Sequence, residues 1–363
     1  MGKRFAIIVG TRPEIIKMAP VIRECERRKV DYRLVHSGQH YDHAMDRAIF
    51  DQFQLPDPHV NLRVGSGRHG EVTARILERF EAYILQEDIR AVLVHGDTNT
   101  TLGGALAAAK LNLPVGHVEA GLRSFDRTMP EEVNRVLADH IATHLFAPTP
   151  AAVDNLRAEG IENGVYYTGQ TAADAIEFLR PGLAEHPILK ELHLKSGAYV
   201  YLTLHRQENT DQRERMDLLI QGIERVGKEM GLTIVCALHP RTRGRLIEYG
   251  WLDRFYGIPG MQVVFPPVDV FASLALQSQA AVVLTDSGGL QEEACMLGVP
   301  CVTLRENTER PETLAIGSNR LAGYHPDTIV EAVSMMAQAP RGWTHPYGDG
   351  RASIRILDIF LAE

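Results

Sequence analysis

Short apolar runs alternate with amphipathic stretches along the whole chain, the pattern of parallel strands joined by helices that cover both faces of a sheet. In the first half the runs predict strands at Phe5–Val9, Tyr32–His36, Ala91–His95, Val115–Glu119, His144–Ala147 and Val165–Thr168. The stretches between them predict helices over Glu14–Arg28, Val72–Leu85, Thr100–Leu111, Glu131–Ala142 and Ala151–Glu159. The pattern restarts after Thr168-Gly169-Gln170 and the Pro/Gly-containing stretch Arg180-Pro181-Gly182, with strands at Tyr199–Leu204, Thr233–Leu238, Val263–Phe265, Ala281–Leu284 and Cys301–Leu304. The expectation is an α/β fold of two Rossmann-like domains, residues 1–169 and 170–349, with a last amphipathic helix within 350–363 packing back on the first domain. Two similar halves predict a cleft between them. Ligands of open parallel sheets lie beyond the carboxyl ends of the strands, so the residues just after each strand carry the functional argument.

Composition sharpens this only a little. At 363 residues, 45% hydrophobic and 23% charged, the chain is globular and long for a single core, which agrees with two domains. A formal net charge of -8 without any run of Lys and Arg argues against a nucleic-acid or anionic-membrane surface. A few local arginines still suffice for a small anionic ligand. The basic residues and apolar run of Met1–Gly10 are too short for a signal peptide or a membrane span, and Ala6 stands where a myristoylation motif wants Ser or Thr. Cys25, Cys236, Cys295 and Cys301 form no CxxC pair, so a reducing cytoplasm is the expected compartment.

The candidate chemistry follows the strand ends. Gly10-Thr11-Arg12-Pro13-Glu14 opens a helix that carries Lys17. Its amides and Arg12 suit an anion, or form an ordinary helix start with a solvated Arg. Neither a G-x-G-x-x-G fingerprint nor a P-loop is present. In the second half, Thr285-Asp286-Ser287-Gly288-Gly289-Leu290-Gln291-Glu292-Glu293 follows a strand. Its glycines let a phosphate approach, Ser287 is placed to cap the helix, and Glu293 suits two ribose hydroxyls or simply favours the helix N-terminus. Arg310, in Thr308-Glu309-Arg310-Pro311-Glu312, stands at another helix start.

Asp97, Glu119 and the pair Glu131-Glu132 follow successive strands of the first half. Each alone reads as a cap or a first-turn acid. Gathered at one sheet edge they repel unless they pair with Arg123 or Arg135, bind a cation, or do acid–base work. His205 in His205-Arg206-Gln207-Glu208-Asn209, and His239 before Pro240-Arg241, follow strands of the second half and are structural or catalytic. His36, His40 and His43 have a spacing only loosely suited to a metal, and no metal site is expected.

These motifs, in this order over nearly the whole chain, resemble the non-hydrolysing UDP-N-acetylglucosamine (UDP-GlcNAc) 2-epimerases. The resemblance implies a fold of the GT-B type with an interdomain cleft, a homodimer, and interconversion of UDP-GlcNAc and UDP-ManNAc without added cofactor. It implies that Asp97, Glu119, Glu131 and His205 act on the sugar, that Arg12 and Lys17 serve the diphosphate or its neighbourhood, and that Ser287, Gly288, Gly289, Glu293 and Arg310 hold UDP. Gln39, Glu132, Arg206 and His239 match the region where some relatives bind a second, regulatory UDP-GlcNAc, but His69 stands where a glutamine is expected. Ser124-Phe125-Asp126-Arg127-Thr128-Met129 also resembles relatives that epimerise UDP-2,3-diacetamido-glucuronic acid.

The C2 proton of such a sugar is not adjacent to a carbonyl. Early rupture of the C1–O bond to UDP would acidify it, giving 2-acetamidoglucal and UDP, which then recombine with the proton on the opposite face. Three other readings use the same residues differently: a GT-B glycosyltransferase, a hydrolysing epimerase, and a non-catalytic nucleotide-sugar sensor.

Overall fold

The computed structural model describes residues 4–39 and 43–362. The chain forms two compact units, one built from the chain up to Phe178 together with the chain from Tyr347 onward, the other from Leu179–Pro346.

In the first unit seven strands form one parallel sheet: β1 (Phe5–Val9), β2 (Tyr32–His36), β3 (Val60–Asn61), β4 (Ala91–His95), β5 (Val115–Val118), β6 (His144–Ala147) and β7 (Val165–Tyr167). Their spatial order is β3-β2-β1-β4-β5-β6-β7. β1 is the sequence FAIIV and is buried at every position, as a central parallel strand covered on both faces demands. On one face Val72, Ile76, Phe80 and Ile84 of helix His69–Glu87 pack with Ala6, Ile8, Val92 and Val94 of β1 and β4. On the other lies the last helix, Ala352–Phe360, whose Phe360 ring meets Phe5 edge-on at 5.5 Å and stands 6.4 Å from Phe146. Asp174 accepts the amides of Ala352 and Ser353 at the start of that helix, at 2.7 and 3.3 Å.

The second unit repeats the plan with β8 (Tyr199–Thr203), β9 (Thr233–Ala237), β10 (Met261–Val264), β11 (Val282–Thr285), β12 (Cys301–Thr303) and β13 (Asn319–Leu321), all parallel. The order is β10-β9-β8-β11-β12-β13. In each unit the chain builds outward from one strand and then returns to its other side. The reversal falls between β1 and β4 in the first unit and between β8 and β11 in the second, which is where doubly wound sheets bind ligands.

The strand readings hold to within a residue or two, and several elements go beyond them. Helix His43–Gln52, edge strand β3 and edge strand β13 were not expected. The Arg180-Pro181-Gly182 stretch is helical: helix Thr171–Leu183 runs through it with Pro181 in its last turn. All four cysteines are buried and free. Gly2 and His40 lie outside the described residues. His36 of the same trio is buried with its Nδ1 accepting the Gly38 amide at 2.9 Å.

Candidate active site

At the first unit's switch point, Gly10 follows β1 and Gly96 follows β4. Gly10 is a packing requirement: a Cβ there would lie 2.1 Å from Ser37 Oγ and 2.2 Å from Thr100 Oγ1. Glu14, almost wholly buried, turns its carboxylate back over the loop. It accepts the amides of Gly10 and Thr11 at 2.9 and 2.8 Å and the Thr11 hydroxyl at 2.9 Å. Its other oxygen accepts the Thr98 hydroxyl at 2.7 Å, so the loops after β1 and β4 are tied together. Burial pushes this carboxyl up to about 7 in spite of those donors. The loop amides expected for an anion are therefore occupied in part by the chain's own carboxylate, while Arg12 is exposed on the first turn of helix Arg12–Arg28.

Lys17, expected to serve the diphosphate or its neighbourhood, is ion-paired with Glu119. Glu119 is buried, accepts Gln170 Nε2 at 2.6 Å, and lies 3.4 Å from His95 Nε2. Burial alone would raise its carboxyl, but Lys17, His95 and Gln170 together hold it well below the usual carboxylate range. Its backbone has φ +73, a left-handed conformation that costs a non-glycine residue about 1–3 kcal/mol and is kept mainly where the surrounding structure fixes it. Asp97 is ion-paired with Arg135, and its carbonyl accepts Asn134 Nδ2 at 2.9 Å. Glu131 is exposed on the first turn of helix Pro130–Ile141. The structure thus brings Asp97, Glu119 and Lys17 into one polar group with His95 and Gln170, while no contact among the described residues joins the exposed Glu131 to it.

His95 and Gln170 were quoted in the sequence motifs without a role. Both are strand-end residues, the signal that singled out the others. Burial brings His95 down to about 4, with Glu119 opposing, and burial brings His36 down to about 4. Both rings are neutral in the folded chain at neutral pH, whereas the unfolded chain takes up a proton near 6.5. Below pH 6.5 the unfolded state therefore binds more protons at these two rings, and their contribution to stability falls as the pH drops towards 4. Each histidine is expected to cost about 2 kcal/mol by pH 5. Urea titrations at pH 7.5 and 5.0 check this. Between pH 7.5 and 5.0 the change in stability of His95→Asn should differ from that of the wild type by about 2 kcal/mol in favour of the variant, and an identical change would contradict it.

The second unit's switch point is organised around Asp286, which is wholly buried. Its carboxylate accepts the His205 amide at 3.0 Å, the Arg206 amide at 2.9 Å and Asn209 Nδ2 at 3.1 Å. This mirrors the first unit, where Glu14 bridges the two loops. The His205 ring stands 3.8 Å from the Asp286 carboxylate and 5.2 Å from the His239 ring. Burial lowers its pKa, with Asp286 opposing.

Ser287 is the N-cap of helix Gly288–Leu297, but its hydroxyl makes no capping bond to that helix, contrary to the expected role. A Cβ on Gly288 would come no closer than 3.7 Å to Glu309 and 3.8 Å to Arg206, and on Gly289 no closer than 3.8 Å to Ser287 Oγ. The helix start is thus open. Glu293 accepts Gln277 Nε2 at 2.7 Å, and Arg310 is ion-paired with Glu292.

Of the residues matched to a regulatory region, Gln39 is buried and accepts the Thr100 hydroxyl at 3.0 Å. Glu132 is buried and accepts the amides of Ser124 and Phe125, at 2.9 and 3.0 Å, which anchors the 124–129 loop. Arg206 reaches the Asp286 carbonyl at 3.3 Å through Nε. His239 caps helix Pro240–Glu248 through Nδ1. His69 lies beside Asn99 at 3.4 Å.

Two doubly wound units, each with its polar groups gathered at a topological switch point, define the GT-B-like class of two-domain α/β proteins. Residues 23–361 match the family model described as UDP-N-acetylglucosamine 2-epimerase. The chain is 45% identical over 362 residues to the UDP-N-acetylglucosamine 2-epimerase of Methanocaldococcus jannaschii, covering 98% of each. It is 39% identical over 361 residues to the UDP-2,3-diacetamido-2,3-dideoxy-D-glucuronate 2-epimerase of Pseudomonas aeruginosa, again covering 98% of each. The crystal structure of the Methanocaldococcus jannaschii UDP-GlcNAc 2-epimerase in complex with UDP-GlcNAc and UDP superposes with a TM-score of 0.89 at 44% identity, covering 99% of this chain and 100% of that one. The chain belongs to the UDP-N-acetylglucosamine 2-epimerase family. No helix among the described residues is long and apolar enough to cross a membrane.

Proposed function

We propose that this protein interconverts UDP-GlcNAc and UDP-ManNAc by eliminating UDP and adding it back. The observations that carry the reading are a carboxylate-rich switch point in one unit and an open, glycine-started helix at the switch point of the other, each a feature of its own unit, in a chain of this family. In the elimination, the C1–O bond breaks with its electron pair leaving on UDP. The C2–H bond supplies the electrons of the new C1=C2 double bond, and its proton passes to a base. In the return step a proton is delivered to the opposite face of C2 and UDP oxygen re-forms the bond to C1.

In this reading Glu119 is an anion that stabilises positive charge on the sugar and not a proton carrier. Lys17 and Gln170 keep it ionised, so it supports positive charge at C1 and positions the sugar. Asp97 and Glu131 are the acid–base pair, and His205 assists the departing phosphate. Arg12 guards the anion entrance, with Ser287, Gly288, Gly289, Glu293 and Arg310 on UDP. The protein acts as a homodimer in the cytoplasm. The greater identity to the UDP-GlcNAc enzyme than to the diacetamido-glucuronate enzyme favours UDP-GlcNAc as the substrate.

The direct test is incubation with UDP-GlcNAc alone. UDP-ManNAc should accumulate to an equilibrium mixture without an acceptor, while net release of UDP and free sugar would favour a hydrolysing enzyme. A second expectation concerns the nucleotide. Glu293→Ala should weaken UDP binding by about 1–3 kcal/mol through loss of a charged hydrogen bond, and unchanged affinity by calorimetry would place the nucleotide elsewhere.

A further inference from the structure

His117, on β5, is used by none of the roles above, yet it lies in a buried ionic cluster of the first unit. Its side chain and that of Asp139 are wholly buried. His117 Nδ1 lies 2.7 Å from Asp139 Oδ1, and Nε2 lies 2.8 Å from the Gly96 carbonyl. A carbonyl only accepts. Asp139 also accepts Arg123 Nη1 at 2.6 Å and the Gly121 amide at 3.1 Å on its other oxygen, which holds it as a carboxylate. Both ring nitrogens therefore face acceptors, and a ring that donates from both is an imidazolium. Around it stand Asp139, Arg123, Glu119 and His95. Arg123 is further matched by a two-point pair with Glu159, at 2.7 and 2.8 Å. His117 and Arg123 against Asp139 and Glu159 make a neutral set, so the buried cation is compensated.

Geometry gives this cation a task. Gly96 has φ +70 and immediately precedes Asp97. Its amide donates to the Val118 carbonyl at 3.0 Å and its carbonyl accepts from His117, so β5 grips the Gly96 peptide at both ends. Helix Pro130–Ile141 completes the frame, with Asn134 and Arg135 on Asp97 and Asp139 on His117. We propose that His117 is a permanently protonated positioning residue, clamped between Asp139 and the Gly96 carbonyl, that sets the Gly96 turn and with it the direction of the Asp97 carboxylate. The effect on catalysis rests on the assignment of Asp97 as an acid–base group; the protonation state does not.

The test has two independent readouts. In protein labelled with 15N-histidine, His117 should show a proton on both ring nitrogens and no titration from pH 6 to 9. A neutral tautomer, or titration within that range, overturns the proposal whatever the enzyme does. His117→Gln and His117→Asn, checked for folding by circular dichroism, should lose about 10²-fold in kcat with KM and UDP affinity within twofold, as a small misplacement of a reacting group does. Folded variants with wild-type kcat overturn the positioning role. A wild-type protein with no epimerase activity would refute the proposed function while leaving the NMR result to decide the clamp. If neither variant folds, a hydrogen-bond coupling between His117 Nε2 and the Gly96 carbonyl in the wild type supports the clamp, and its absence overturns it.

Discussion

Replacing Asp97 by asparagine, or Glu131 by glutamine, is expected to lower kcat for epimerisation by roughly 10²–10⁴-fold, the usual effect of losing one general acid or base, while UDP affinity is kept. Inversion at C2 needs removal of a proton on one face and its return on the other. The first unit's switch point offers carboxylates in two different settings for this. Asp97 is fixed by Arg135, by Asn134 and through Gly96, whereas Glu131 is exposed and begins a helix. A fixed group suits removal of a proton from a bound sugar, and a solvent-edge group suits exchange of one with water. Glu119 is the less suited partner, because Lys17, His95 and Gln170 stabilise its carboxylate and so weaken it as a base. Steady-state rates combined with UDP calorimetry check the prediction. If either isosteric variant epimerises at the wild-type rate, that residue is a structural cap, and the assignment passes to Glu119 and His205.

Asp139→Ala should destabilise the fold by about 3–5 kcal/mol, the cost of breaking a buried ion pair by removing one partner. Asp139 has no exposed side-chain surface and stands between Arg123 and His117, so its removal leaves two buried cations facing each other across a void. Asp154 provides the contrast. Its pair with Arg157 spans 3.8 Å with both side chains more than half exposed, and surface pairs of this kind contribute about 0–1 kcal/mol. Urea unfolding of the two alanine variants measures the difference. An Asp139→Ala midpoint equal to that of Asp154→Ala would refute the importance of the buried cluster.

How far the sequence reaches can be judged from particular residues. β1, β4, β8 and β11 are legible because a buried parallel strand must be apolar on both faces, and the functional groups are legible because they follow those strands. β3 and β13 are not, since Val60–Asn61 and Asn319–Leu321 are short edge strands with too few apolar residues to form a run. Helix Thr171–Leu183 is obscured by Pro181. Its buried stripe of Ala172, Ala175, Ile176, Leu179 and Leu183 carries the helix through that residue to its end.

Pairings are less legible still. Lys17 reaches Glu119 across 102 positions and His205 lies 81 positions from Asp286. No local pattern announces either partner, and only the return of the chain to the other side of β1 and β8 brings them together. Lys17, expected to serve the diphosphate or its neighbourhood, is ion-paired with Glu119. The same distance in sequence hid the roles of His95, Gln170, Asp139 and Asp286, although each stands in or beside a segment that the strand-end argument had marked.

Elimination and re-addition require that the C2–H bond of the sugar be broken during turnover. The measurement that addresses it most directly is incubation of the protein with UDP-GlcNAc in D2O, followed by proton NMR of both sugar nucleotides. Elimination and re-addition predict that UDP-ManNAc appears with deuterium at C2, without added NAD, acceptor or net release of UDP. Epimerisation that keeps the original proton at C2, or that proceeds only when NAD is supplied, would contradict it.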